Sequence, residues 1–369
     1  MSDSVIWVDF NTLEKFMTDV FIGLGVPPEE AAICSKVLIT ADMRGIDSHG
    51  INRLKPIYYD RIREGIQETT TNFEVVRETP TTAVIDGHNG MGHVIGTRAM
   101  RMAIDKAKKS GMGMTVVRNS THYGIAGYYA TMACDAQMIG ITGTNARPSI
   151  APTFGIENML GTNPLVFGMP TDEPFPFCID CATSITQRGK IEIYARSGKP
   201  LPEGWVIRSD GSSGVDSKLT LKELIDGTAA LAPLGGIGEE LAGYKGYGYA
   251  AVVEILSAAL AGGSFLKMLS GYDGDGKKVP YNLGHFFMAI DISSFTEPVL
   301  FRKTTGDILR ALRDSQRAPD AERIYTAGEK EYEAWLERKD KGVPLDKSLQ
   351  KEIKTMEKEL RIKGYNFPF

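Results

Sequence analysis

The amino-acid sequence predicts an α+β fold, with helices at both ends of the chain and β-strands between them. Helical spacing of apolar residues covers the first 65 positions and returns from Leu345 to Leu360, whereas short strand-like runs begin after Gly65. This separation of helices from strands favours an α+β architecture over a regular alternation of strand and helix.

Two helices are predicted before Gly65. Asn11 and Glu14 have the spacing of a capping box, which predicts that the first helix begins at Asn11 and stops at Gly25. Pro27–Pro28 followed by two glutamates opens the second helix, because proline is favoured at the first helical position.

The middle of the chain alternates between strand patterns and loops. Strands are predicted at 73–76, 82–85, 114–117 and 138–142, and a helix is predicted to end at Gly111. The stretch from Asn145 to Pro176 is rich in Gly, Pro, Thr and Asn, which is typical of loops that carry binding groups. The apolar run Tyr249–Gly263 predicts a buried helix, and the tail predicts an amphipathic helix packed on the body or on a partner subunit.

Charge and hydropathy exclude two classes of partner. The 42 Lys and Arg residues do not exceed the 46 Asp and Glu residues, so no basic excess exists for nucleic acid. The start of the chain lacks the pattern of a signal peptide, and the best apolar run is too short to span a membrane and contains Glu254. We therefore expect a soluble, cytoplasmic protein with no nucleic-acid or membrane partner.

The 40 glycines suggest a phosphate-binding loop, and two segments come close to one. Gly246–Ala251 matches a relaxed dinucleotide fingerprint, but it follows no buried strand and has no acidic residue about 20 positions later. Gly271–Lys278 resembles a Walker loop but ends in Lys where Ser or Thr is required. Neither device is therefore predicted, and any dinucleotide is expected to bind outside a Rossmann fold.

Cys178 and Cys181 form a C-x-x-C pattern that has three interpretations: a redox pair, half of a zinc site or coincidence. A structural zinc site needs a second pair of ligands, which Cys34 and Cys134 do not supply. Coincidence is favoured, and no metal site is expected.

The segment Arg44–Arg53 gathers an acid, a hydroxyl, an imidazole and two guanidinium groups within ten residues. His49 can exchange a proton near neutral pH, and an arginine can hold a carboxylate through two parallel hydrogen bonds. These groups suffice for the reduction of a 2-keto acid. A solvated, charged loop without function explains the same residues equally well.

The other four histidines are not equally good candidates for binding or catalytic residues. His122 follows a predicted strand and precedes a predicted helix, a common place for binding groups. His88 and His93 flank a glycine-rich turn and are predicted as surface residues, while His285 opens an apolar strand and is predicted to be structural. Their spacing offers no metal site on a helix face.

Several segments together resemble the malate/L-lactate dehydrogenase family, which is unrelated to the Rossmann-type lactate dehydrogenases and includes ureidoglycolate, sulfolactate and diketogulonate oxidoreductases. The matching segments lie in the family's order along nearly the whole chain: 44–53, 121–128, 160–164, 180–184, 188–190, 244–248 and 328–329. The resemblance implies a mainly antiparallel sheet with helices as the cofactor-binding unit (76–309), an all-α domain from both chain ends (1–75 and 310–369), and a homodimer.

The resemblance also assigns roles to individual residues. His49 would donate the proton to the substrate carbonyl with support from Ser48, and Arg53 would hold the substrate carboxylate. His122 competes with His49 as the acid/base, because one branch of the family assigns the proton-acceptor role to the matching histidine. Expected cofactor contacts are His122, Asp180, Cys181, Ala182, Lys245, Gly328 and Glu329, and expected substrate contacts are Arg53, Thr162 and Asn163.

The resemblance implies an NAD(P)-dependent 2-hydroxyacid dehydrogenase, with malate and oxaloacetate the first substrates to test. NAD is the expected cofactor and NADP remains open. Lys190 stands where the imine-reducing branch has a carboxylate, which points toward hydroxy acids. Ureidoglycolate, sulfolactate and lactate are alternative substrates, and a non-catalytic ligand-binding relative is the alternative from another class.

Overall fold

The computed structural model describes residues 5–369. Within this range the helices are α1 (Phe10–Gly23), α2 (Pro28–Met43), α3 (Asp60–Arg63), α4 (Gly92–Ser110), α5 (Gly127–Asp135), α6 (Arg188–Ser197), α7 (Ser217–Asp226), α8 (Gly243–Ala258), α9 (Pro298–Arg313), α10 (Glu329–Arg338) and α11 (Lys347–Glu359). A 3-10 turn (Ile51–Arg53) and a π-helical turn (Leu54–Tyr59) link α2 to α3.

The strands of the same range are β1 (Ile6–Val8), β2 (Glu74–Glu78), β3 (Thr82–Asp86), β4 (Met112–Ser120), β5 (Met138–Thr144), β6 (Leu165–Met169), β7 (Phe177–Cys181), β8 (Val206–Arg208), β9 (Ala229–Leu231), β10 (Leu283–Asp291) and β11 (Val343–Leu345). Seven of them form the central sheet in the order β2-β3-β4-β10-β5-β6-β7. Every neighbouring pair in this sheet is antiparallel except β3 and β4. The prediction of a mainly antiparallel sheet is therefore confirmed.

Helices cover both faces of the central sheet. Val117 and Phe287 pack with α4 and α5 on one face, whereas their neighbours Val116 and Phe286 pack with Val253 of α8 on the other. Successive residues of a strand point to opposite faces, so one short apolar run supplies both cores. Glycine is needed where a helix approaches most closely, since a Cβ on Gly113 would lie 2.1 Å from the carbonyl oxygen of Ala103.

The two ends of the chain meet in a separate core. Residues of α1 and α2 pack there with α11 and with Phe367 near the carboxyl terminus. The expectation of an all-helical unit at the chain ends is wrong in one respect, because β1 pairs with β11 in a small antiparallel sheet.

Two other predictions need correction. Asp9, not Asn11, caps α1 by accepting a hydrogen bond from the Thr12 amide at 2.9 Å. The loop-rich stretch 145–176 also contains β6, which forms on one of its short apolar runs. Helix α8 is only half-buried, since Tyr249, Val252 and Ile255 remain exposed.

Membrane-spanning helices are not found in this range: none of the helices within residues 5–369 is both long enough and apolar enough to cross a bilayer.

Candidate active site

The loop that follows α2 is held by hydrogen bonds to Asp42 of α2 and to Arg338 of α10. The buried carboxylate of Asp42 accepts a hydrogen bond from the Ile51 amide at 2.9 Å. Arg338 of α10 donates to the carbonyl oxygen of Asp42 at 2.8 Å and to both carboxylate oxygens of Asp47. A Cβ on Gly50 would lie 1.8 Å from a carboxylate oxygen of Asp42, so only glycine fits there. The loop is therefore held rigidly against the chain-end unit.

His49 lies on this loop and is half-buried. Its Nδ1 atom is 2.8 Å from the Ser48 hydroxyl, and Arg53 donates through Nε to the carbonyl oxygen of Ser48 at 2.6 Å. Burial, followed by the positive charge of Arg53, lowers the pKa of His49 to about 4. The ring is therefore neutral near pH 7, and its Nε2 atom has no partner among residues 5–369.

The His122 ring lies beside the His49 ring. The sequence predicted that His122 lies in a turn between a strand and a helix, but it did not predict this contact. The two rings stack with centroids 5.9 Å apart and an angle of 19° between their planes. Burial, together with the nearby charge of His49 and of Arg61, lowers the pKa of His122 well below its ordinary value. Both imidazoles are thus held neutral at one place.

The tautomer of His122 follows from the two groups that bond to its Nδ1 atom. The Tyr58 hydroxyl lies 2.5 Å from Nδ1 of His122, and the Gly124 amide donates to the same atom at 3.4 Å. An amide can only donate, so Nδ1 acts as an acceptor and the neutral ring carries its proton on Nε2. Sequence analysis missed Tyr58, because the π-helical turn that carries it lies 64 residues before His122.

A continuous cleft runs from His49 to α10. Its inner part, of about 250 Å³, is lined by Ser48, His49, Gly124, Thr162, Ala182 and Gln187, among others. Its outer part, of about 220 Å³, is lined by apolar and aromatic side chains that include Met43, Phe175, Tyr332 and Trp335. Ile46, Asp180 and Glu331 line both parts. Gln187, Glu331 and the aromatic residues of the outer part were not predicted from the sequence.

One wall of the cleft is formed by Asp180 and by two closely packed glycines. Asp180 accepts a hydrogen bond from the Gly127 amide at 2.6 Å and exposes its carboxylate edge to the cleft, where it can accept from ribose hydroxyls. A Cβ on Gly127 would lie 2.9 Å from the Asp180 carboxylate, and one on Gly328 would lie 2.4 Å from the carbonyl oxygen of Pro176. Glycines thus keep this wall thin, and the apolar outer part suits a planar base.

Of the predicted site residues, eight lie in or beside this cleft: Ser48, His49, Arg53, His122, Thr162, Asp180, Ala182 and Gly328. Cys181 adjoins them on β7, with its thiol 3.9 Å from the carbonyl oxygen of Leu165. Cys178 and Cys181 are three residues apart on this strand, so their side chains point to opposite faces.

Three predicted residues do not direct their side chains into the cleft. Asn163 is fully buried. Its side-chain oxygen accepts a hydrogen bond from the Ala146 backbone amide at 3.2 Å, and its side-chain nitrogen donates to Glu254 at 2.8 Å. Glu329 is buried and bonded to Arg323 and to the Thr326 amide. Lys245 is exposed on α8, outside the residues that line the cleft. Asn163 and Glu329 therefore support the walls from behind.

The remaining histidines lie away from the cleft or behind it. His285 is confirmed as structural, since Nδ1 bonds to Thr144 and Nε2 bonds to Ser120, each at 2.7 Å. The prediction of a surface position is wrong for His93, which is fully buried 4.6 Å from the Tyr58 ring with neither ring nitrogen bonded. His88 is exposed and pairs with Glu74 at 2.7 Å. Residues 5–369 contain no group of three or more His, Cys, Asp or Glu side chains arranged to hold a metal ion.

Comparison with known proteins gives a consistent result. Residues 8–354 match the sequence profile of the malate/L-lactate dehydrogenase family. The chain is 42% identical to malate dehydrogenase of Pyrococcus horikoshii, over 99% of this chain and 98% of that protein. It is 36% identical to L-sulfolactate dehydrogenase of Methanocaldococcus jannaschii, over 94% of this chain and 95% of that protein.

A solved structure has the same fold over its whole length. The crystal structure of malate dehydrogenase from Entamoeba histolytica superposes with a TM-score of 0.94 at 45% identity, and the match covers 99% of this chain and 100% of that one. Together with the profile match and the full-length relatives, this shows that the chain belongs to the malate/L-lactate dehydrogenase family, whose membership implies an oxidoreductase that uses a nicotinamide cofactor.

Proposed function

We propose that the protein is an NAD(P)-dependent 2-hydroxyacid dehydrogenase that interconverts malate and oxaloacetate. The observation that carries the proposal is the neutral His49, whose free Nε2 atom lies in a cleft beside Arg53. The malate dehydrogenases at 42% and 45% identity support malate over the other hydroxy acids as the first substrate.

His49 is the proposed acid/base. When the bound nicotinamide accepts or supplies a hydride at the substrate carbon, one proton must leave or reach the substrate oxygen. The Ser48 hydroxyl can accept a hydrogen bond from Nδ1–H when Nε2 is the free base, and it can keep that bond when Nε2 carries the transferred proton, because both nitrogens of the charged ring are donors. One serine can therefore support His49 in both directions of the reaction.

Arg53 is the proposed carboxylate clamp. Its Nε atom is held by the loop backbone, while its two Nη atoms have no hydrogen-bond partner among the described residues. A guanidinium oriented in this way can bind a carboxylate through two parallel bonds, which fixes the substrate relative to His49.

His122 is proposed to donate a hydrogen bond rather than to act as the base. With Nδ1 engaged by Tyr58, the atom available to a ligand is Nε2, which carries the proton of the neutral ring. A donor at this place can orient the substrate or the nicotinamide amide. His49 is therefore favoured over His122 as the proton acceptor in malate oxidation.

The cofactor is proposed to lie along the cleft. Asp180 and Ala182 would contact it through β7, with Cys181 between them, and Gly328 would contact it through the start of α10. Glu329 would hold that wall, and Lys245 would contribute only if a partner subunit brought it near. NAD is proposed first, and NADP is tested beside it.

A homodimer is proposed as the assembly, with residues 1–75 and 310–369 as one unit of each chain and 76–309 as the other. The exposed apolar face of α8 supports this proposal, because Tyr244, Tyr249, Val252 and Ile255 are each about half exposed in the single chain. Burial of such a face against a second copy would remove it from water.

The test is a panel of 2-keto acids with NADH and with NADPH, followed at 340 nm. Turnover of oxaloacetate with a higher kcat/KM than for pyruvate, 2-ketoglutarate or sulfopyruvate is expected. Oxidation of ureidoglycolate in preference to malate would replace the substrate. Cofactor binding without turnover of any substrate would favour a non-catalytic relative and overturn the proposal.

A further inference from the structure

Three neighbouring strands of the central sheet end at the same edge, close to His122. In the strand register, Ser120 at the end of β4 faces Leu283 at the start of β10. Thr144 at the end of β5 faces His285 of the same strand β10. The residues just beyond these strand ends therefore lie at one edge, and they include His122 after β4, Tyr281 before β10 and Arg147 after β5.

Arg61 reaches this edge from α3. The Cζ atom of its guanidinium lies 4.3 Å from the centre of the Tyr281 ring. Three residues earlier, Tyr58 bonds to His122 at 2.5 Å, and the charge of Arg61 is one of the causes that lower the pKa of His122. A guanidinium that stacks on an aromatic face keeps its N–H edge free for an anion.

Arg61 and Arg147 form no ion pair with the described residues 5–369. Among residues 5–369, no carboxylate lies within salt-bridge distance of either guanidinium, and neither donates a side-chain hydrogen bond to the protein. Burial is the main cause that lowers the pKa of Arg61, and the positive charge of Arg147 also lowers it, whereas Tyr281, Tyr58 and Glu64 raise it. Glu64 is itself paired with Lys278 at 2.7 Å, so the repulsion between the two arginines is only partly offset. An anion bound between them would relieve this repulsion.

We propose that Arg61 and Arg147 bind the second acidic group of the substrate, a carboxylate or a sulfonate, while Arg53 holds the carboxylate next to the reacting carbon. The inference rests on the proposed function and narrows its substrate class to 2-hydroxy acids with two negative charges. Lactate and other monoacids lack the second group and leave both arginines unpaired, which is the basis of the selectivity.

The experiment compares Arg147→Gln and Arg61→Gln with the unaltered protein. Arg147 is exposed, so its substitution does not endanger folding, and Arg77→Gln on the exposed strand β2 is the matched control for loss of one positive charge. The kcat/KM for oxaloacetate, sulfopyruvate and pyruvate is measured with the same reduced cofactor. In each site variant, the ratio of the preferred diacid to pyruvate should fall by about 10- to 100-fold, because a charge-assisted hydrogen bond is lost.

Binding without turnover gives a second readout. The protein loaded with NADH cannot oxidise malate, so the dissociation constants of malate and lactate can be measured on that complex by calorimetry. Malate should lose its advantage over lactate in Arg147→Gln and Arg61→Gln but not in Arg77→Gln. Comparison of malate with sulfolactate then distinguishes a carboxylate from a sulfonate as the second group.

The outcomes separate the two proposals. If the unaltered protein turns over 2-keto acids but both site variants keep the diacid preference within threefold, the inference is overturned and the proposed function stands. An unaltered protein that prefers pyruvate also overturns it. If no 2-keto acid is turned over with either cofactor, the proposed function fails, and the calorimetric comparison still decides whether the arginine pair binds a second acidic group.

Discussion

The histidines of the cleft and those of the core behind it are held in opposite ways. His285 uses both ring nitrogens, which bond to Thr144 and Ser120 within the sheet. In the described part of the chain, His49 and His122 each have only Nδ1 bonded, to Ser48 and Tyr58. The difference is that the cleft histidines keep one nitrogen for a ligand, whereas the core histidine has none left.

His93 completes the comparison, because it is buried in the core yet neither ring nitrogen is bonded. It packs against the ring of Tyr58, directly behind His122. Burial alone lowers its pKa to about 3, as it does for His285. Low pKa values therefore occur in both regions, and the free nitrogen beside a cleft, not the pKa, distinguishes a candidate acid/base.

The largest expected effect is that of His49→Asn. Loss of the acid/base should lower kcat for oxaloacetate by about 10²- to 10⁴-fold, while NADH binding stays intact. Kinetics and a fluorescence titration of NADH measure the two quantities. His88→Asn, on the exposed turn paired with Glu74, is the matched control. An unchanged rate would move the acid/base role to His122.

Arg53→Lys is expected to have the next largest effect. Lysine cannot bind a carboxylate through two parallel bonds, so the transition state should lose about 2–3 kcal/mol of stabilisation. This loss should lower kcat/KM for every 2-keto acid. Steady-state kinetics with oxaloacetate and pyruvate measure this loss, with Arg77→Lys as the control. Unchanged kinetics with both substrates would remove Arg53 from the site.

Tyr58→Phe tests whether the Tyr58 hydroxyl positions His122 and keeps its ring neutral. Without the hydroxyl, Nδ1 loses the donor that stabilises the neutral ring, so kcat/KM should fall about tenfold and its acid limb should move to higher pH. The pH profile is the readout that a purely structural role would not move.

The control is Tyr59→Phe, whose hydroxyl bonds to Glu359 at 2.5 Å, on the side of the chain-end unit. It should leave the pH profile in place. Identical profiles for Tyr58→Phe and the unaltered protein would contradict the role of Tyr58.

The smallest effect is expected for His93→Leu. Its folded-state pKa of about 3 lies below the ordinary value of 6.5, so the unfolded chain binds more protons between these values and the free energy of unfolding falls as pH falls through this range. His93→Leu should make that fall shallower and change stability at pH 7 by about 1 kcal/mol or less, because no hydrogen bond is lost. Urea unfolding at several pH values measures both quantities.

His285→Leu provides the contrast in the same core. It leaves the hydroxyls of Ser120 and Thr144 without their histidine partner, which should cost about 1–3 kcal/mol at pH 7. A larger loss for His93→Leu than for His285→Leu would contradict the distinction drawn between them.

The loop proposed to carry the acid/base could be predicted from the sequence because its chemistry is local. The groups between Arg44 and Arg53 lie within ten residues, and His122 follows a strand whose pattern is visible. The glycine tests were also informative: Gly246–Ala251 lies inside α8 rather than before a helix, which explains why it is no phosphate loop.

Sequence reasoning failed where a residue's environment depends on distant segments. His93 stands beside a glycine-rich turn, yet α4 carries it under Tyr58 and Phe21. Asn163 and Glu329 belong to segments that match the family. Their side chains nevertheless bond within the protein, because Glu254 and the Thr326 amide lie next to them.

The sequence by itself determined the family and the mainly antiparallel α+β architecture, and it singled out the loop proposed to carry the acid/base, since each of these is encoded in short runs of residues. Only the tertiary structure decided which nitrogen of His122 is available, how Arg338 holds the loop and which arginines form no ion pair with the described residues. Tyr58 and His122 are 64 residues apart, and Arg338 lies 291 residues from Asp47. Hydrogen bonds over such separations depend on how the elements pack, and no local pattern records that packing.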